Sequence, residues 1–300
     1  MKSENCILII INPVSGNLDK GEILSLITDE ATKKSCDFKL YKTTGTGDKE
    51  AIESLITQYN PSRVIVAGGD GTVAMAASCV YKTDIILGII PAGSANGMAT
   101  NFELPQTLDK QIEIAFSNNT LTIDVLLINN RICLHIADLG INAELIKNYE
   151  NSGIRGKLGY FIQSIPTLFQ SDFPFHFTIK TPRAQYSETG VLLAIANANK
   201  FGTGATINPT GKLNDGKFEI LIFKNLDIIE IFKTMQDNPK MSSDFVKIIP
   251  TESAEISCLN KIPFQIDGEF LGEKDILSVK MSKHKLHIAL PQKFCKLHSQ

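Results

Sequence analysis

The stretch RVIVAGGDGTVAM (63–75) passes from an apolar run into two glycines, an aspartate, a third glycine and a threonine. Glycine permits positive φ and lets another group come close to bare backbone. Three further segments of this kind follow apolar runs: NPVSGN (12–17), TTGTGD (43–48) and PAGSANG (91–97). Backbone N–H groups in glycine turns and at helix N-termini suit phosphate oxygens. Ser15, Thr43, Thr72 and Ser94 can add hydroxyl donors. One such turn is ordinary chain punctuation, but four on one edge would form a phosphate-binding rim. A carboxylate at Asp70 would repel phosphate unless a divalent cation, or water around one, stood beside it. Asp70 could also be the N-cap of the helix that follows it. Neither G-x-x-x-x-G-K-[ST] nor G-x-G-x-x-G occurs, since GTGDKE (45–50) and GTGATI (202–207) lack the third glycine.

The elements that must position these loops alternate over the first ~120 residues. Apolar strand patterns at 6–11, 38–43, 63–67 and 84–90 are separated by helix spacings at 21–35 and 48–59 and by a helix starting near Thr72. A further helix is expected over roughly 107–117. This rhythm predicts an α/β N-terminal domain with a parallel sheet and helices on both faces. Ligands of such sheets bind beyond the carboxyl ends of the strands, where all four loops should open.

After about residue 120 the pattern becomes short strands, such as LTIDVLLIN, FHFTIKT, KFEILIF and VKIIPT, with Gly, Asn, Asp or Pro between many of them. A mostly antiparallel β-sandwich C-terminal domain is expected. The division is 1–120 and 121–300, with the last segment able to pack back on the first domain. One helix pattern, GKLGYFIQSIPTLF (156–169), interrupts the strands. Lys147 and Arg155 precede it and Lys157 stands at its start, so it could lie at a lipid interface with a basic rim or pack its apolar stripe inward.

Other chemistries are poorly supported. The six cysteines are dispersed, and His284 and His287, three apart in a strand pattern, fall on opposite faces. A net charge of −2 argues against general nucleic-acid binding. The apolar N-terminal run is too short for a signal core or a membrane span. A cytoplasmic protein with transient peripheral membrane contact is expected, and a homodimer is left open.

In order along the chain, NPVSG, GGDGT and PAGSAN resemble the catalytic domain of the diacylglycerol kinase and sphingosine kinase superfamily, in its bacterial lipid kinase branch. HIADLGINAELI, GKLGYF, GKLNDGKFEI and QIDGE continue the likeness over nearly the whole chain. The resemblance implies transfer of the γ-phosphate of ATP, with Mg²⁺, to a hydroxyl of a diacylglycerol or sphingoid-type lipid. It implies nucleotide contacts from Asn12, Ser15, Thr43, Gly68, Gly69, Asp70, Gly71, Thr72, Ser94 and Asn96. It makes Asp267 the proton acceptor with Glu269 beside it, Asp215 a structural magnesium ligand completed by the carbonyls of Lys212 and Lys217, and Asp124 another acidic position near the site. From spacing alone, the Asp-Gly pairs of NDGKF and IDGEF would be hairpin turns. The sequence departs from the pattern of the family it resembles at Ala74, Met75, Gly97 and His135. An NAD kinase, which shares the GGDG turn, and a non-catalytic lipid- or nucleotide-binding regulator are the competing alternatives.

Overall fold

The structure is a computed structural model that describes residues 6–16, 18–94, 96–140, 143, 174–200, 204–236 and 238–298. The candidate interfacial helix at 156–169 and its preceding basic residues lie outside the described residues. The chain divides into two compact units, Met1–Ile123 with His284–Gln300, and Asp124–Lys283.

In the first unit, strands β1 (Cys6–Ile11), β2 (Asp37–Lys42), β3 (Arg63–Gly68) and β4 (Ile86–Pro91) form a parallel sheet in the order β2–β1–β3–β4. The register aligns their ends: Ile11 lies opposite Lys42 and Ala67, and Gly68 opposite Pro91. The four following loops therefore leave the sheet at one edge. The end of the long strand β14 (Glu269–Ala289) extends this sheet, pairing His287 and Ile288 in parallel with Ile86 and Leu87.

Alternation sends Ile7, Ile9 and Ile11 to one face, where they cluster with Ile23, Ile27 and Ala31 of α1 (Lys20–Lys33) and with Ile112 and Ala115 of α5 (Leu108–Ala115). Helices α2 (Asp48–Tyr59) and α3 (Asp70–Val80) cover the other face, and α3 buries Val73, Ala76, Ala77 and Val80. Strand β2 is less buried than the apolar alternation of its sequence suggests. It is the edge strand and most of it is exposed. The PAGSANG segment, read as loop throughout, contains the start of a further short helix, α4 (Gly97–Asn101).

The second unit is antiparallel. One layer runs β12 (Val246–Thr251), β11 (Phe218–Phe223), β10 (Leu192–Ala196), β7 (Ile136–Gly140) and the end of β13 (Ser253–Ile266). The other layer joins β9 (Gln185–Gly190), β8 (Phe175–Lys180) and the start of β13. Register shifts in the β13–β14 pair, between Ser257 and Ile262 and again near Pro263, let the hairpin serve both layers. Between the layers lies a core of Leu193, Ile195, Phe218 and Ile220 against Phe177, Ile256, Leu277 and Val279.

The sequence pattern divides β13 and β14 into shorter strands at their polar stretches, and it gives no strand for β9, with its polar QYSETG. The short helix Ile228–Lys233 reverses the usual amphipathic arrangement. Its Glu230 is buried, accepting from Ser242 N and Lys233 Nζ at 3.0 and 2.6 Å, while Ile228, Ile229 and Phe232 stay exposed. No helix among the described residues is long and apolar enough to cross a membrane.

Candidate active site

At the glycine rim the loops are fastened to one another before any ligand is considered. Asn12 Nδ2 donates to Thr72 Oγ1 at 3.0 Å, and its Oδ1 accepts from Val14 N at 3.1 Å. Ser15 Oγ donates to the Asn12 carbonyl at 3.1 Å, and Thr43 N to the Ile11 carbonyl at 3.0 Å. A Cβ on Gly93 would stand 2.4 Å from Gly69 Cα, so the loops after β3 and β4 meet backbone to backbone. Asn96, at φ +56°, closes its own loop by accepting from Gly93 N and donating to Gly93 O, both at 2.9 Å. Ser94 beside it is exposed.

Asp70 is not the N-cap of its own helix, which corrects that expectation. Gly69 holds the cap position, and α3 begins without any side-chain cap bond. The Asp70 carboxylate instead accepts from Gly97 N at 2.8 Å and Met98 N at 3.0 Å, capping α4. The uncapped first turn of α3 offers backbone donors and a partial positive charge at the rim. Gly71, in that turn, is exposed, and a Cβ there would meet nothing within 4 Å among the described residues. Packing among the described residues gives no reason for glycine at 71, whereas a ligand resting on bare backbone would.

Two rim residues escape the sequence reading. Asp48, at the first position of α2, is buried and accepts from Tyr41 Oη (2.7 Å), Thr44 N (2.8 Å), Thr44 Oγ1 (3.0 Å) and Gly45 N (2.8 Å). It shapes the TTGTGD loop. Its signal is the Thr-x-x-x-Asp spacing ahead of a helix pattern. The Thr44 N–H, with help from the other donors, holds the Asp48 carboxyl below its usual 3.8 against the effect of burial. A depressed pKa stabilises the fold above the unfolded value and loses that contribution as pH falls through the folded value. Asp48→Asn should therefore melt lower than the wild type at pH 7, and the two melting curves should converge below pH 3.8. The other residue is Lys20, whose Nζ donates to Leu18 O at 3.0 Å and reaches Ala92 O at 3.5 Å, placing a cation among the loops.

In the second unit, Asp267 and Gly268 form the turn of the β13–β14 hairpin, with φ of +50° and +87° and Ile266 opposite Glu269. That is the turn expected of Asp-Gly. The Asp267 carboxylate points back into the protein. It accepts from Leu134 N (2.9 Å), His135 N (2.9 Å) and Ile136 N (3.1 Å), with Cys133 Sγ at 3.5 Å. Burial pushes its pKa above 3.8, while the Leu134 amide and the charge of His135 pull it back. A half-buried carboxylate with a raised pKa is of the kind that general bases use. Glu269 is exposed and pairs loosely with Arg131 at 3.4 Å. The His135 ring meets the Lys200 carbonyl through Nε2.

The acidic positions Asp124 and Asp215 meet at one loop. Asp124 is buried; its Oδ2 accepts from Gly216 N at 2.6 Å, and its own N–H donates to Leu213 O at 2.7 Å. It anchors the turn that displays Asp215, which accepts from Lys217 N at 3.0 Å. Nearby, Asn208 donates to Glu219 at 2.7 Å while its buried Oδ1 has no partner among the described residues. No group of three or more His, Cys, Asp or Glu suited to a metal occurs among the described residues. One carboxylate with main-chain carbonyls is still a hard-oxygen donor set of the kind magnesium takes, usually with several waters retained.

With this geometry in view, comparison with known proteins is decisive for the family. Residues 6–128 match the diacylglycerol kinase catalytic domain, and residues 136–289 match the YegS C-terminal NAD kinase beta sandwich-like domain. The chain belongs to the family that joins this catalytic domain to the YegS C-terminal domain. Among its relatives, the protein named "Probable lipid kinase YegS" of Salmonella typhimurium (strain LT2) is 26% identical over 279 residues, covering 89% of this chain and 90% of the relative. One from Citrobacter koseri, named "Probable lipid kinase YegS-like", is 24% identical over 298 residues, 95% of each chain. A diacylglycerol kinase structure from Bacillus anthracis superposes with a TM-score of 0.74 at 18% identity, covering 98% of this chain and 100% of that one. An NAD kinase from Archaeoglobus fulgidus in complex with ATP gives 0.56 at 10% identity, covering 97% and 96%. These two likenesses establish the fold alone. In this two-domain family member, the rim brings together Asn12, Asp70, Thr72 and Asn96 within the first unit. In the second unit Asp124, on a strand, holds the loop that carries Asp215, while Asp267 belongs to a different turn.

Proposed function

We propose that the protein is an ATP-dependent lipid kinase, moving the γ-phosphate to a hydroxyl of a diacylglycerol or sphingoid-type lipid. The observation that carries this reading is the rim: four aligned loops, an uncapped α3 N-terminus and an exposed Gly71 that packing does not require. The names of the curated relatives support the lipid as acceptor. In phosphoryl transfer the protein's task is mainly positioning and charge stabilisation. The first-turn amides of α3, with the hydroxyls of Ser15, Thr43 and Ser94, would hold phosphate oxygens, and Lys20 would add positive charge. Asp70 would keep the loop after β4 in place through its bonds to Gly97 and Met98. Asp267 would accept the proton of the lipid hydroxyl as the new P–O bond forms, with Glu269 beside it on the same hairpin.

Magnesium on the triphosphate would neutralise charge on the transferring group. A second, structural magnesium would sit at Asp215 with the carbonyls of Lys212 and Lys217, and Asp124 would hold that turn. If so, Mg²⁺ raises the melting temperature of the wild type but not of Asp215→Ala. Equal Mg²⁺ responses in the two proteins would exclude an ion there. The activity itself is tested with labelled ATP, Mg²⁺ and a panel of lipids in mixed micelles, with NAD in parallel. Label in the lipid phase supports the proposal. Label in NAD favours the related nucleotide kinase, and binding without turnover favours a regulator.

A further inference from the structure

Asp138 takes no part in the scheme above, yet it is a fully buried acid in the middle of β7. Its neighbours Ala137 and Leu139 face the core between the two layers, so Asp138 faces the other side of the strand. Burying a carboxylate there is costly unless it is hydrogen-bonded. Its cross-strand partner is Gln265 on β13. Gln265 Nε2 donates to Asp138 Oδ2 at 2.5 Å, and Gln265 Oε1 accepts from Gly268 N at 2.7 Å. Gly268 is the second turn residue, adjoining Asp267.

We infer that Asp138 is a positioning residue for Asp267, acting through Gln265 on the hairpin turn. The inference rests on the kinase reading for its catalytic consequence, but not for its geometry. Asp138 Oδ2 is the acceptor in its bond with the Gln265 amide nitrogen. Asp138 therefore fixes which end of the Gln265 amide faces it, and the carbonyl end must face the Gly268 N–H. That bond holds the turn from below. The Asp267 N–H, donating to Ile136 O at 3.0 Å, and the three amides on its carboxylate hold it from β7 and the segment just before it. Asp267 adopts positive φ, which a non-glycine residue keeps only when its surroundings enforce it. The relay supplies part of that enforcement.

The test is an exchange of donor and acceptor that leaves the net charge unchanged. In Asp138→Asn the buried amide pair can bond in either sense, and the Gly268 N–H loses its assured acceptor. The variant should lose about tenfold in kcat with KM for ATP and lipid within about twofold of wild type. Amide hydrogen exchange at Gly268 should quicken by about tenfold. Gln265→Glu sets two carboxylates face to face and should lose more. The double variant Asp138→Asn/Gln265→Glu reverses donor and acceptor. The introduced amide on β7 then donates to the introduced carboxylate on β13, whose other oxygen accepts from Gly268 N. Recovery of both kcat and Gly268 protection toward wild type would support the relay. A double variant as impaired as the worse single, or Gly268 exchange unchanged in Asp138→Asn, would overturn it. Exchange needs no substrate, so failure of the kinase reading shows separately: the wild type would turn over no lipid while the exchange pattern followed the swap.

Discussion

Asp267→Asn is expected to lower kcat for lipid phosphorylation by at least about a hundredfold, the low end of what a positioned general base contributes. ATP affinity should stay within about twofold, because the proposed phosphate donors all belong to the other unit. The two carboxylate oxygens serve different partners, His135 and Ile136 N–H on Oδ1 and Leu134 N–H on Oδ2. An asparagine must turn its NH2 toward one of those donors, so the variant should also lose about 1–3 kcal/mol of stability. Asp267→Ala leaves all three N–H groups without their acceptor and should melt lower still. The informative comparison is therefore single-turnover rate and ATP binding on Asp267→Asn at a temperature where melting shows it folded. Parallel loss of ATP binding and turnover would mean that Asp267 holds the architecture and is not the base. Loss of the rate alone is what a proton acceptor requires.

Much of this could be read from the chain because local and tertiary signals agree. The period of apolar residues places α2 at its observed bounds, and the apolar runs give β1 and β3. Where tertiary context decides, the sequence is less informative. Strand β2 carries Phe38 and Leu40, an apolar alternation that reads as half-buried, but its place at the sheet edge leaves both exposed. Strands β13 and β14 are long because they serve two layers, a demand that acts across the sheets and leaves no periodic trace. At the site, residue types are legible but partners are not. Asp70 stands at the start of a helix, where an acid is favourable for its own sake. Only the fold shows that its oxygens reach Gly97 and Met98, 27 and 28 residues away. Asp48 and Asp138 escape the sequence for the same reason. Each is a lone acid in an ordinary context, and what distinguishes it is a set of donors brought in by a loop or a facing strand.

The glycines of the rim separate fold from ligand most cleanly, because two of them fail in opposite ways. Gly93→Ala drives a methyl to 2.4 Å from Gly69 Cα, a contact with backbone that no rotamer relieves. The loops after β3 and β4 must part, and the variant should lose about 1–3 kcal/mol of stability together with ATP binding. Gly71→Ala places its methyl in open space at the exposed start of α3. Alanine is the better helix residue, so the variant should melt at or above the wild type, with a gain of up to about 1 kcal/mol. If phosphate oxygens rest on the α3 first turn, the same methyl occupies their approach, and ATP affinity should fall by at least about tenfold, a loss of ~1.4 kcal/mol. Melting curves and ATP titrations on the two variants give four results, of which the decisive one is a Gly71→Ala protein that is fully folded and weak for ATP. Wild-type affinity in that variant would remove the triphosphate from the α3 N-terminus and, with it, the main support for the kinase reading. Glycine at 71 would then have no explanation in either packing or binding.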